Sequence, residues 1–475
     1  MYRTLTLSKK LMQLINEDTI CAIATAQGGA IGVIRVSGSR AIEITERIFT
    51  PATGAALSER KSHTLAYGQI CADTGELIDE VLVSLFRGPH SYTGEDATEI
   101  MCHGSSYILQ QVMQLLIANG CRSANPGEYT QRAFLNGKMD LSQAEAVADL
   151  IASSNAATHR LAMNQMRGGF SNELRALRTR LLDFTSLIEL ELDFSEEDVE
   201  FADRSQLCTL ATQIESIIAH LVHSFSVGNA VKNGIPVAII GETNAGKSTL
   251  LNLLVNEERA IVSDIHGTTR DVIEDTINLR GITFRFIDTA GIRETSDRIE
   301  SLGIERTFQK LEQASIVLWV IDSTTAQTQY ASLAQKILPH CKGKKLIRLF
   351  NKSDLLSPEA QTALSYLPLD EGDTLFISAK QHENTDALQS LLVKDASLPE
   401  ISQSDVIVTN IRHFEALSHA LDAIRRVQDG LSARLSGDFL SQDIRECIFY
   451  LNDILGEVTN DEVLGNIFRK FCIGK

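Results

Sequence analysis

The sequence predicts a protein of mixed α/β and α class. It would have an N-terminal α/β domain, a helical bundle domain, and a P-loop α/β domain inserted into the helical domain. Three observations lead to this prediction. Short apolar strand-like runs alternate with helix-like runs between residues 19 and 124, and a helical period with almost no Gly or Pro covers residues 140–231. A glycine-rich loop then follows an apolar strand near residue 240, and the helical period returns after residue 400.

Length and composition limit the class of protein. The 475 residues exceed the size of about 250 to 300 residues at which a single core stops growing, so several domains are expected. No apolar run approaches the roughly 18 residues of a membrane span, and the first seventeen residues do not resemble a secretory signal. We therefore expect a cytoplasmic protein with no membrane segment. The predicted divisions are an N-terminal extension (1–17), an N-terminal domain (18–136), a helical domain (137–232 and 399–475) and an inserted domain (233–398).

Cysteine spacing and net charge exclude two further classes. The eight cysteines include no CxxC pair, which argues against a zinc site or a disulfide framework. The formal charge of −17 argues against nonspecific binding of nucleic acid, so any RNA contact requires a local basic patch. Scattered charges more often belong to solvated helix faces, but the candidate arginines for such a patch are Arg122, Arg132, Arg167, Arg175, Arg178 and Arg180.

Each domain has its own periodicity. In the N-terminal domain, the runs ICAIA, IGVIRVSG and VLVSLF predict strands, and YILQQVMQLLIANG predicts a helix. Apolar residues three and four apart in AEAVADLIASS, LRALRTRLLDFTSLIELELDF and LCTLATQIESIIAHLVHSF predict long helices. The tail from Phe414 to Phe471 predicts two or three amphipathic helices that pack back on the earlier ones.

The motif from Gly241 to Ser248, GETNAGKS, matches the phosphate-binding loop of nucleotide hydrolases. It lies between the strand-like VAII and the helix-like STLLNLLV, which is the context that this motif requires. The glycines allow backbone N–H groups to face phosphates, Lys247 can reach the β and γ oxygens, and the Ser248 hydroxyl can bind Mg²⁺.

Four further elements follow in the order expected of a Ras-like P-loop G domain: GTTR, DTAG, NKSD and SAK. Thr269 supplies a second hydroxyl for Mg²⁺, and Asp288 ends a strand where a carboxylate can hold the metal shell. The Asp354 carboxylate of NKSD can accept both guanine N1–H and the N2 amine, which adenine does not offer, so GTP is the predicted substrate. The predicted GTP-binding residues are Asn244, Ala245, Gly246, Lys247, Ser248, Thr249, Ser263, Asp264, Ile265, His266, Gly267, Thr268, Thr269, Asp288, Thr289, Ala290, Gly291, Asn351, Lys352, Asp354, Ser378, Ala379 and Lys380.

Ile292 follows DTAG, so the G domain lacks the glutamine that orients water in many small GTPases. The runs NAGKS, IHGTTRD and DTAGIRET…RIESLGIERT resemble the MnmE (TrmE) family of tRNA modification GTPases. In that family a potassium ion supplies the charge that an arginine finger supplies elsewhere. The resemblance implies Glu300 as the water-orienting catalytic residue. It also implies potassium ligands at Asn244, Ser263, Ile265 and Thr268.

The flanking regions resemble the same family over residues 17–475. The stretches that carry the resemblance are DTICAIATAQGGAIGVIRVSG, SYTGEDATEIMCHG, NPGEYTQRAFLNGKMDLSQAEAVADLI and the terminal FCIGK. The resemblance implies a folate-binding-like N-terminal domain in which Arg35, Glu99, Lys138 and Lys475 bind a tetrahydrofolate derivative. Arg and Lys can pair with carboxylates of folate, and Glu can accept donors from its pterin ring.

Three details of the flanking regions are less standard. The chain has TAQGG where the family usually has TPPGRG, so the rim of the folate pocket differs in backbone and charge. Cys472 is a candidate catalytic thiol by the family analogy, although a single thiol with no visible base is usually inert. His103 is expected to be structural, because no partner motif for metal binding is visible.

The resemblance implies a homodimer that acts on tRNA with an FAD-dependent protein of the MnmG type, in a heterotetramer. Together they would form the 5-carboxymethylaminomethyl or aminomethyl group on wobble uridine U34, and the flavin would lie on the partner because this chain has no GxGxxG fingerprint. Two alternatives stay open at this stage. One is a GTPase assembly factor that binds ribosomal RNA, and the other is a scaffold in which the G domain is only a nucleotide-switched dimerisation module.

Overall fold

The computed structural model describes residues 18–26, 28–72, 74–193, 204–242, 244–258, 275–287, 311–365, 372–396, 405–459, 461–469 and 471–474. The chain divides into two compact units. The first unit draws on residues 1–151, 165–211 and 422–475, and the second on residues 152–164 and 212–421. None of the helices in these described ranges has the length and apolar character needed to cross a bilayer.

Along the described residues, a region of mixed strands and helices is followed by helices alone, then by a second mixed region and further helices. The strands are β1 (Thr19–Ile23), β2 (Ile31–Ser37), β3 (Phe49–Pro51), β4 (Thr64–Cys71), β5 (Leu77–Phe86), β6 (Ala97–His103), β7 (Cys121–Ser123), β8 (Ile235–Ile240), β9 (Asp275–Leu279), β10 (Ile282–Phe286), β11 (Ile316–Asp322), β12 (Lys345–Asn351) and β13 (Asp373–Ile377). The helices are α1 (Ala41–Ile48), α2 (Ser106–Ala118), α3 (Glu128–Leu135), α4 (Leu141–Ala152), α5 (Ala156–Met166), α6 (Gly169–Asp193), α7 (Arg204–Asn233), α8 (Lys247–Glu258), α9 (Ala326–Ile337), α10 (Pro358–Ser365), α11 (Thr385–Asp395), α12 (Ile411–Ser432), α13 (Gly437–Leu455) and α14 (Asp461–Phe468).

The first unit contains a seven-stranded sheet in the order β3-β4-β5-β6-β2-β1-β7. Neighbouring strands are antiparallel except for β1 and β7, which are parallel. Alternate residues of β2 and β6 are buried, including Ile34, Val36 and Ile100, and they form one core with apolar residues of α1 and α2. The residues between them face the other side of the sheet, where Arg35 of β2 lies opposite Glu99 of β6.

Helices complete the first unit. Helix α6 packs along α13, and α14 packs near α4 through a small apolar cluster that includes Leu141 and Phe468. The helices expected from the periodic runs are present, and the strands expected from ICAIA, IGVIRVSG and VLVSLF correspond to β1, β2 and β5. The helical period and the apolar strand-like runs therefore predicted these elements correctly. The predicted domain boundaries stay a prediction.

The second unit is built around a six-stranded sheet in the order β13-β12-β11-β8-β10-β9. All neighbouring strands are parallel except β9 and β10. Apolar residues on both faces, such as Val237 and Leu318 on one side and Trp319 and Phe350 on the other, are buried under helices. Because β8, β11, β12 and β13 run in the same direction, the loops after them meet at one edge of the sheet. Those loops, together with the last residues of β11 and β12, contain GETNAGKS, Asp322, NKSD and SAK.

Helical segments in the second unit make defined contacts. The backbone N–H of Val408 donates to the Ser224 hydroxyl of α7 at 3.0 Å, and a Cβ at Gly228 would overlap the Val408 carbonyl oxygen. The Phe225 and Phe414 rings stack with centroids 4.4 Å apart. The segment before α12 therefore lies directly against α7, and the glycine makes that close approach possible.

Candidate functional site

The phosphate-binding loop leaves β8 and enters α8 through two glycines with positive φ. Gly241 has φ +148° and Gly246 has φ +100°. A Cβ at Gly241 would overlap the Val320 carbonyl oxygen, and a Cβ at Gly246 would overlap Nδ2 of Asn351. Glycine is therefore required at both positions by conformation and by space. The result is a loop that delivers the N-terminus of α8, with its unpaired N–H groups, to the sheet edge.

Lys247 and Ser248 begin α8 at the end of this loop. The Lys247 ammonium donates hydrogen bonds to the carbonyl oxygens of Gly241 at 2.7 Å and Glu242 at 2.6 Å. The cation is thus held over the loop, where the motif requires it for phosphate contact. Ser248 lies in the first helical turn, where a hydroxyl can bind a metal that also contacts phosphate.

Asn351 links three loops at this edge of the sheet. Its buried side chain donates through Nδ2 to the Ala245 carbonyl at 2.8 Å and accepts through Oδ1 from the Ala379 N–H at 3.0 Å. Its backbone carbonyl accepts the N–H of Ser323 at 3.0 Å and the Ser323 hydroxyl at 2.6 Å. The NKSD motif, the phosphate-binding loop and the SAK motif are therefore joined by one amide.

The remaining residues of NKSD and SAK lie beside this amide. Lys352 has φ +65° and its ammonium contacts the Asp322 carboxylate at 2.6 Å. Burial alone would raise the pKa of Asp322, but hydrogen bonds from Lys352 and Thr324 outweigh it and hold that pKa below its ordinary value. Asp354 lies in the short 3₁₀ turn Ser353–Leu355 that follows. Ser378 and Ala379 are buried and Lys380 is exposed.

Asn244 is exposed and has φ +64°, in the left-handed region that asparagine tolerates better than most residues. Ala245 is buried and Thr249 is exposed. The structure thus describes the predicted nucleotide residues of GETNAGKS, NKSD and SAK. The predictions for Ser263, Asp264, Ile265, His266, Gly267, Thr268, Thr269, Asp288, Thr289, Ala290, Gly291 and Glu300 lie outside the described residues.

A second polar cluster lies on the face of the N-terminal sheet opposite α1 and α2. The Arg35 guanidinium donates from Nε to Oε1 of Glu99 at 3.0 Å, and its Nη2 atom forms an ion pair with the same oxygen at 2.8 Å. The rings of Tyr92 and Tyr129 lie 5.6 Å from the Arg35 Cζ atom, and the Tyr129 hydroxyl donates to the Arg35 carbonyl at 2.7 Å. Two predicted folate residues are therefore paired with each other, in an aromatic frame that the motifs did not predict.

Lys138 lies against the same loop that carries Tyr92. Its ammonium donates to the Pro89 carbonyl at 2.8 Å, and its stem lies about 3.4 Å from the Cβ position of Gly94. Lys138 itself is exposed. Lys138 therefore contacts this loop directly, and Arg35, which pairs with Glu99, lies beside its Tyr92 ring. Lys475 lies outside the described residues.

The C-terminal tail reaches this cluster. The Gly127 N–H donates to the Cys472 carbonyl at 3.3 Å, and Nη1 of Arg35 donates to the Gly474 carbonyl at 3.3 Å. Gly474 has φ +91°, and a Cβ there would lie 2.7 Å from the Ile23 carbonyl oxygen. The Cys472 side chain is exposed. Gly474 of the FCIGK motif thus lies beside Arg35.

Comparison with known proteins identifies the family of this chain. A family model described as the GTP-binding protein TrmE N-terminus matches residues 19–138, and one described as the MnmE helical domain matches residues 141–472. The tRNA modification GTPase MnmE of Bacteroides thetaiotaomicron is 72% identical over 466 residues, which cover 97% of this chain and 100% of that protein. The protein of the same name from Flavobacterium johnsoniae is 53% identical over 467 residues, with 97% and 100% covered.

This chain belongs to the MnmE family. Its relatives are named tRNA modification GTPases, so it is a member of a family of GTP hydrolases that act in tRNA modification. Among solved structures, a variant of Aquifex aeolicus Era bound to GDP·AlF₄⁻ is 27% identical, and the match covers 40% of this chain and 66% of that one. Its TM-score of 0.27 is too low to establish a shared fold.

One arginine proposed for RNA contact is instead part of a buried ion cluster in this MnmE-family chain. Arg132 has 0% of its side chain exposed and pairs with Asp18 at 2.6 Å, Glu95 at 3.1 Å and Glu128 at 3.0 Å. Arg122 also pairs with Asp18 and Glu128. The prediction was wrong for Arg132, because charge density along the chain does not reveal which arginine is buried between carboxylates.

His103 contacts the Asp79 carboxylate. Nδ1 of His103 lies 2.8 Å from Oδ1 of Asp79, whose other oxygen accepts the His103 backbone N–H at 2.8 Å. Over the described ranges, no group of three or more His, Cys, Asp or Glu residues could hold a metal ion. The eight cysteines all lie in the described ranges and form no disulfide bonds there.

Proposed function

We propose that this MnmE-family GTPase uses potassium-dependent hydrolysis of GTP to control modification of the wobble uridine U34 of tRNA. The product would be a 5-carboxymethylaminomethyl or aminomethyl group, and a tetrahydrofolate derivative would donate the one-carbon unit. The observation that carries this proposal is the contact of the C-terminal tail with the Arg35–Glu99 pair. It brings FCIGK to two predicted folate residues in a chain that also has the phosphate-binding loop motif.

The nucleotide part of the proposal assigns roles to the described residues. The loop N–H groups and Lys247 would bind the phosphates, Ser248 would bind Mg²⁺ together with Thr269, and Asp354 would select guanine. The residues fit this use because the loop already has the open left-handed geometry that phosphate binding needs, and because Asn351 fixes it against NKSD. Bound Mg²⁺ would supply charge neutralisation at the β and γ phosphates.

The potassium part rests on Asn244. Its left-handed backbone and its exposure leave the side-chain amide accessible at the phosphate-binding loop. The amide oxygen, with the carbonyl groups of Ser263, Ile265 and Thr268, would form an oxygen-rich site of the kind that binds a hard monovalent cation. A bound potassium ion would supply positive charge where an arginine finger does so elsewhere, and Glu300 would orient water.

The folate part rests on the N-terminal cluster. Glu99 and Lys138 offer an acceptor and a cation on neighbouring elements, which suits a ligand with amide-like donors at one end and carboxylates at the other. Cys472 and Lys475 would act from the C-terminal tail. Bound tetrahydrofolate would supply one-carbon chemistry, whereas the residues of this chain would bind and orient it.

The proposal includes partners that would complete the site. The chain would act in the cytoplasm as a homodimer, in a heterotetramer with an FAD-dependent protein of the MnmG type, on tRNA. GTP hydrolysis would change the relation of the G domains and so gate the chemistry. The flavin would belong to the partner.

The first test compares GTP hydrolysis in KCl and NaCl at matched ionic strength. The variant Asn244→Ala removes the proposed ligand, and Asn252→Ala, at an exposed asparagine of α8, is the matched control. We expect potassium alone to accelerate the wild-type and control proteins, and Asn244→Ala to lose that acceleration. Equal rates of the wild-type protein in the two salts would overturn the potassium mechanism.

A second test separates the proposal from the alternative of an assembly factor that performs no chemistry beyond hydrolysis. Calorimetric titration with 5-formyltetrahydrofolate should show saturable binding to the wild-type protein. The variant Glu99→Gln should bind it more weakly, because a neutral amide accepts more weakly than a carboxylate and also presents N–H groups. Absence of folate binding by the wild-type protein would favour the assembly factor.

A further inference from the structure

Asp322 lies between the strands that lead into the phosphate-binding loop and into NKSD. It is the last residue of β11, which pairs on one side with β8 and on the other with β12. Its register partner in β12 is Asn351, and its side chain is 17% exposed. The aspartate belongs to none of the five nucleotide motifs, so the motifs assign it no role.

Asp322 and the residue after it hold Lys352 of NKSD at both ends. The N–H and the hydroxyl of Ser323 donate to the Asn351 carbonyl, which belongs to the peptide bond that joins Asn351 to Lys352. At the other end, the Lys352 ammonium donates to Oδ2 of Asp322 at 2.6 Å. The Lys352 backbone has φ +65°, which a residue with a side chain adopts when its surroundings impose it. The lysine stem therefore has few conformations left between two fixed points.

The two oxygens of the Asp322 carboxylate have different partners. Oδ1 accepts from the Thr324 N–H at 3.0 Å and from the Thr324 hydroxyl at 2.7 Å, in the turn before α9. Oδ2 accepts from Lys352. The turn needs only one oxygen, and an amide oxygen could serve it as well as a carboxylate. The charged contact with Lys352 is therefore separate from the role of Asp322 in the turn.

A lysine fixed in this way is prepared for a ligand before the ligand arrives. Ordering a long side chain during binding lowers the affinity by about two- to tenfold. Because Asp322 already holds the Lys352 ammonium, this ordering takes place on folding instead. The Lys352 side chain is still 33% exposed, so part of its apolar stem is accessible to a planar ring.

We propose that Asp322 is a positioning residue for guanine nucleotides. It holds the Lys352 ammonium so that the stem of this lysine forms a fixed surface against which the face of the base packs, while Asp354 binds the edge of the base. The inference rests on the nucleotide part of the proposed function. It adds a residue that acts through Lys352 and does not itself contact the ligand.

Calorimetric titration of the full-length protein with GDP and Mg²⁺ tests the inference. Asp322→Asn keeps an oxygen for Thr324 but removes the charge that holds the ammonium, so the affinity should fall by about two- to tenfold. IDP lacks the N2 amine that Asp354 binds, and its affinity should fall by the same factor, because the edge contact is not altered. The matched control is Asp373→Asn, which breaks a more exposed ion pair with Lys394 at the start of β13 and should leave both affinities unchanged.

A double substitution separates positioning from a role in the turn. In a Lys352→Met protein, adding Asp322→Asn should cause no further loss of GDP affinity, because the ammonium that Asp322 holds is already absent. A role through the turn before α9 would persist in that background and make the two losses additive. Thermal unfolding of each variant reports folding separately.

Three outcomes would overturn the positioning role and leave the proposed function intact. They are additive losses, a GDP affinity of Asp322→Asn within about twofold of the wild-type value, and tighter binding by Asp322→Asn, which would mean that the ion pair competes with the nucleotide. Failure of the wild-type protein to bind GDP would instead overturn the nucleotide part of the proposed function and this inference with it.

Discussion

The side-chain amide of Asn351 donates to the Ala245 carbonyl at 2.8 Å, and this contact joins the NKSD motif to the phosphate-binding loop. The side-chain oxygen of Asn351, Oδ1, accepts a hydrogen bond from the Ala379 N–H at 3.0 Å. Both contacts are buried, so neither can be replaced by water without rearrangement. Asn351 therefore orders the nucleotide site by holding its loops together.

Asn351→Ala should weaken both nucleotide binding and the fold of the second unit. The substitution leaves the Ala245 carbonyl and the Ala379 N–H buried without their partner, at a cost of about 2 to 4 kcal/mol in the free energy of unfolding. Denaturant titration and binding of a fluorescent GTP analogue measure the two effects. Asn278→Ala, which removes one solvent-exposed hydrogen bond to the Gly281 N–H, should cost less than about 1 kcal/mol. Equal effects of the two substitutions would refute the linking role.

Gly246→Ala should abolish tight nucleotide binding. Gly246 has φ +100°, and an added Cβ would overlap Nδ2 of Asn351, so the loop would have to move away from NKSD. Gly281→Ala is the control that separates steric overlap from backbone strain. Gly281 also has positive φ (+85°), but no atom lies within 4 Å of its Cβ position. The control should lose about 1 kcal/mol of stability and keep its GTP affinity. Nucleotide titration of both variants measures the difference.

Sequence patterns predicted the strands and helices of this molecule, because their periodicity is set by residues that are close in sequence. The alternation in β2 and the helical period of α6 and α7 were visible because neighbouring residues determine them. The order of GETNAGKS, NKSD and SAK predicted a shared sheet edge, since parallel strands bring their carboxyl ends together. Residues of those motifs could therefore be named before their geometry was known.

Contacts between distant residues were not predictable in this way. No local pattern distinguishes Arg132, buried among three carboxylates, from the arginines of α6. Nor does SYTGED indicate that the Tyr92 ring lies over Arg35, because that contact depends on the path of a loop between β5 and β6. The side-chain contacts between distant residues around each site could therefore be found only from the structure.

Arg132→Met should destabilise the first unit by about 3 to 5 kcal/mol, because it leaves Asp18, Glu95 and Glu128 without the buried cation they share. Arg122→Met is the matched control. Arg122 pairs with two of the same carboxylates, but its side chain is 41% exposed, so solvent screens the pair and the loss should be smaller. Urea denaturation measures both, and an equal loss for the two variants would contradict the difference in burial.

The same cluster should make the first unit sensitive to acid. Burial would raise the pKa of Glu128, but hydrogen bonds from Arg122, the Asn125 backbone and Arg132 hold that pKa below the ordinary value of 4.5. A carboxylate with a lowered pKa in the folded state stabilises the fold above its ordinary pKa, and that contribution is lost as the pH falls through the folded value. Stability measured below pH 4.5 should therefore decline, and Glu128→Gln should flatten the decline. If the loss of stability at acid pH is the same in Glu128→Gln as in the wild-type protein, Glu128 is not its cause.

Gly474→Ala should release the C-terminal tail from the N-terminal sheet without unfolding it. Gly474 has φ +91°, and its Cβ position lies 2.7 Å from the Ile23 carbonyl oxygen and 3.1 Å from Cα of Ala24, so alanine is excluded by backbone atoms that cannot rotate away. Release would remove the carbonyl that accepts from Nη1 of Arg35. Because Arg35 keeps its hydrogen bond and its ion pair with Glu99, the pair itself should remain and the midpoint of thermal unfolding should change little.

The exposed Cys472 thiol reports on the position of this tail. Its alkylation by iodoacetamide should become faster in Gly474→Ala, because a released tail gives the reagent freer access to the thiolate. Gly75→Ala, at a glycine of positive φ with open space around its Cβ position, should leave the rate unchanged. Alkylation at the wild-type rate in Gly474→Ala would mean that contacts other than this close approach hold the tail, and the hydrogen bond from the Gly127 N–H to the Cys472 carbonyl would then be the next to remove.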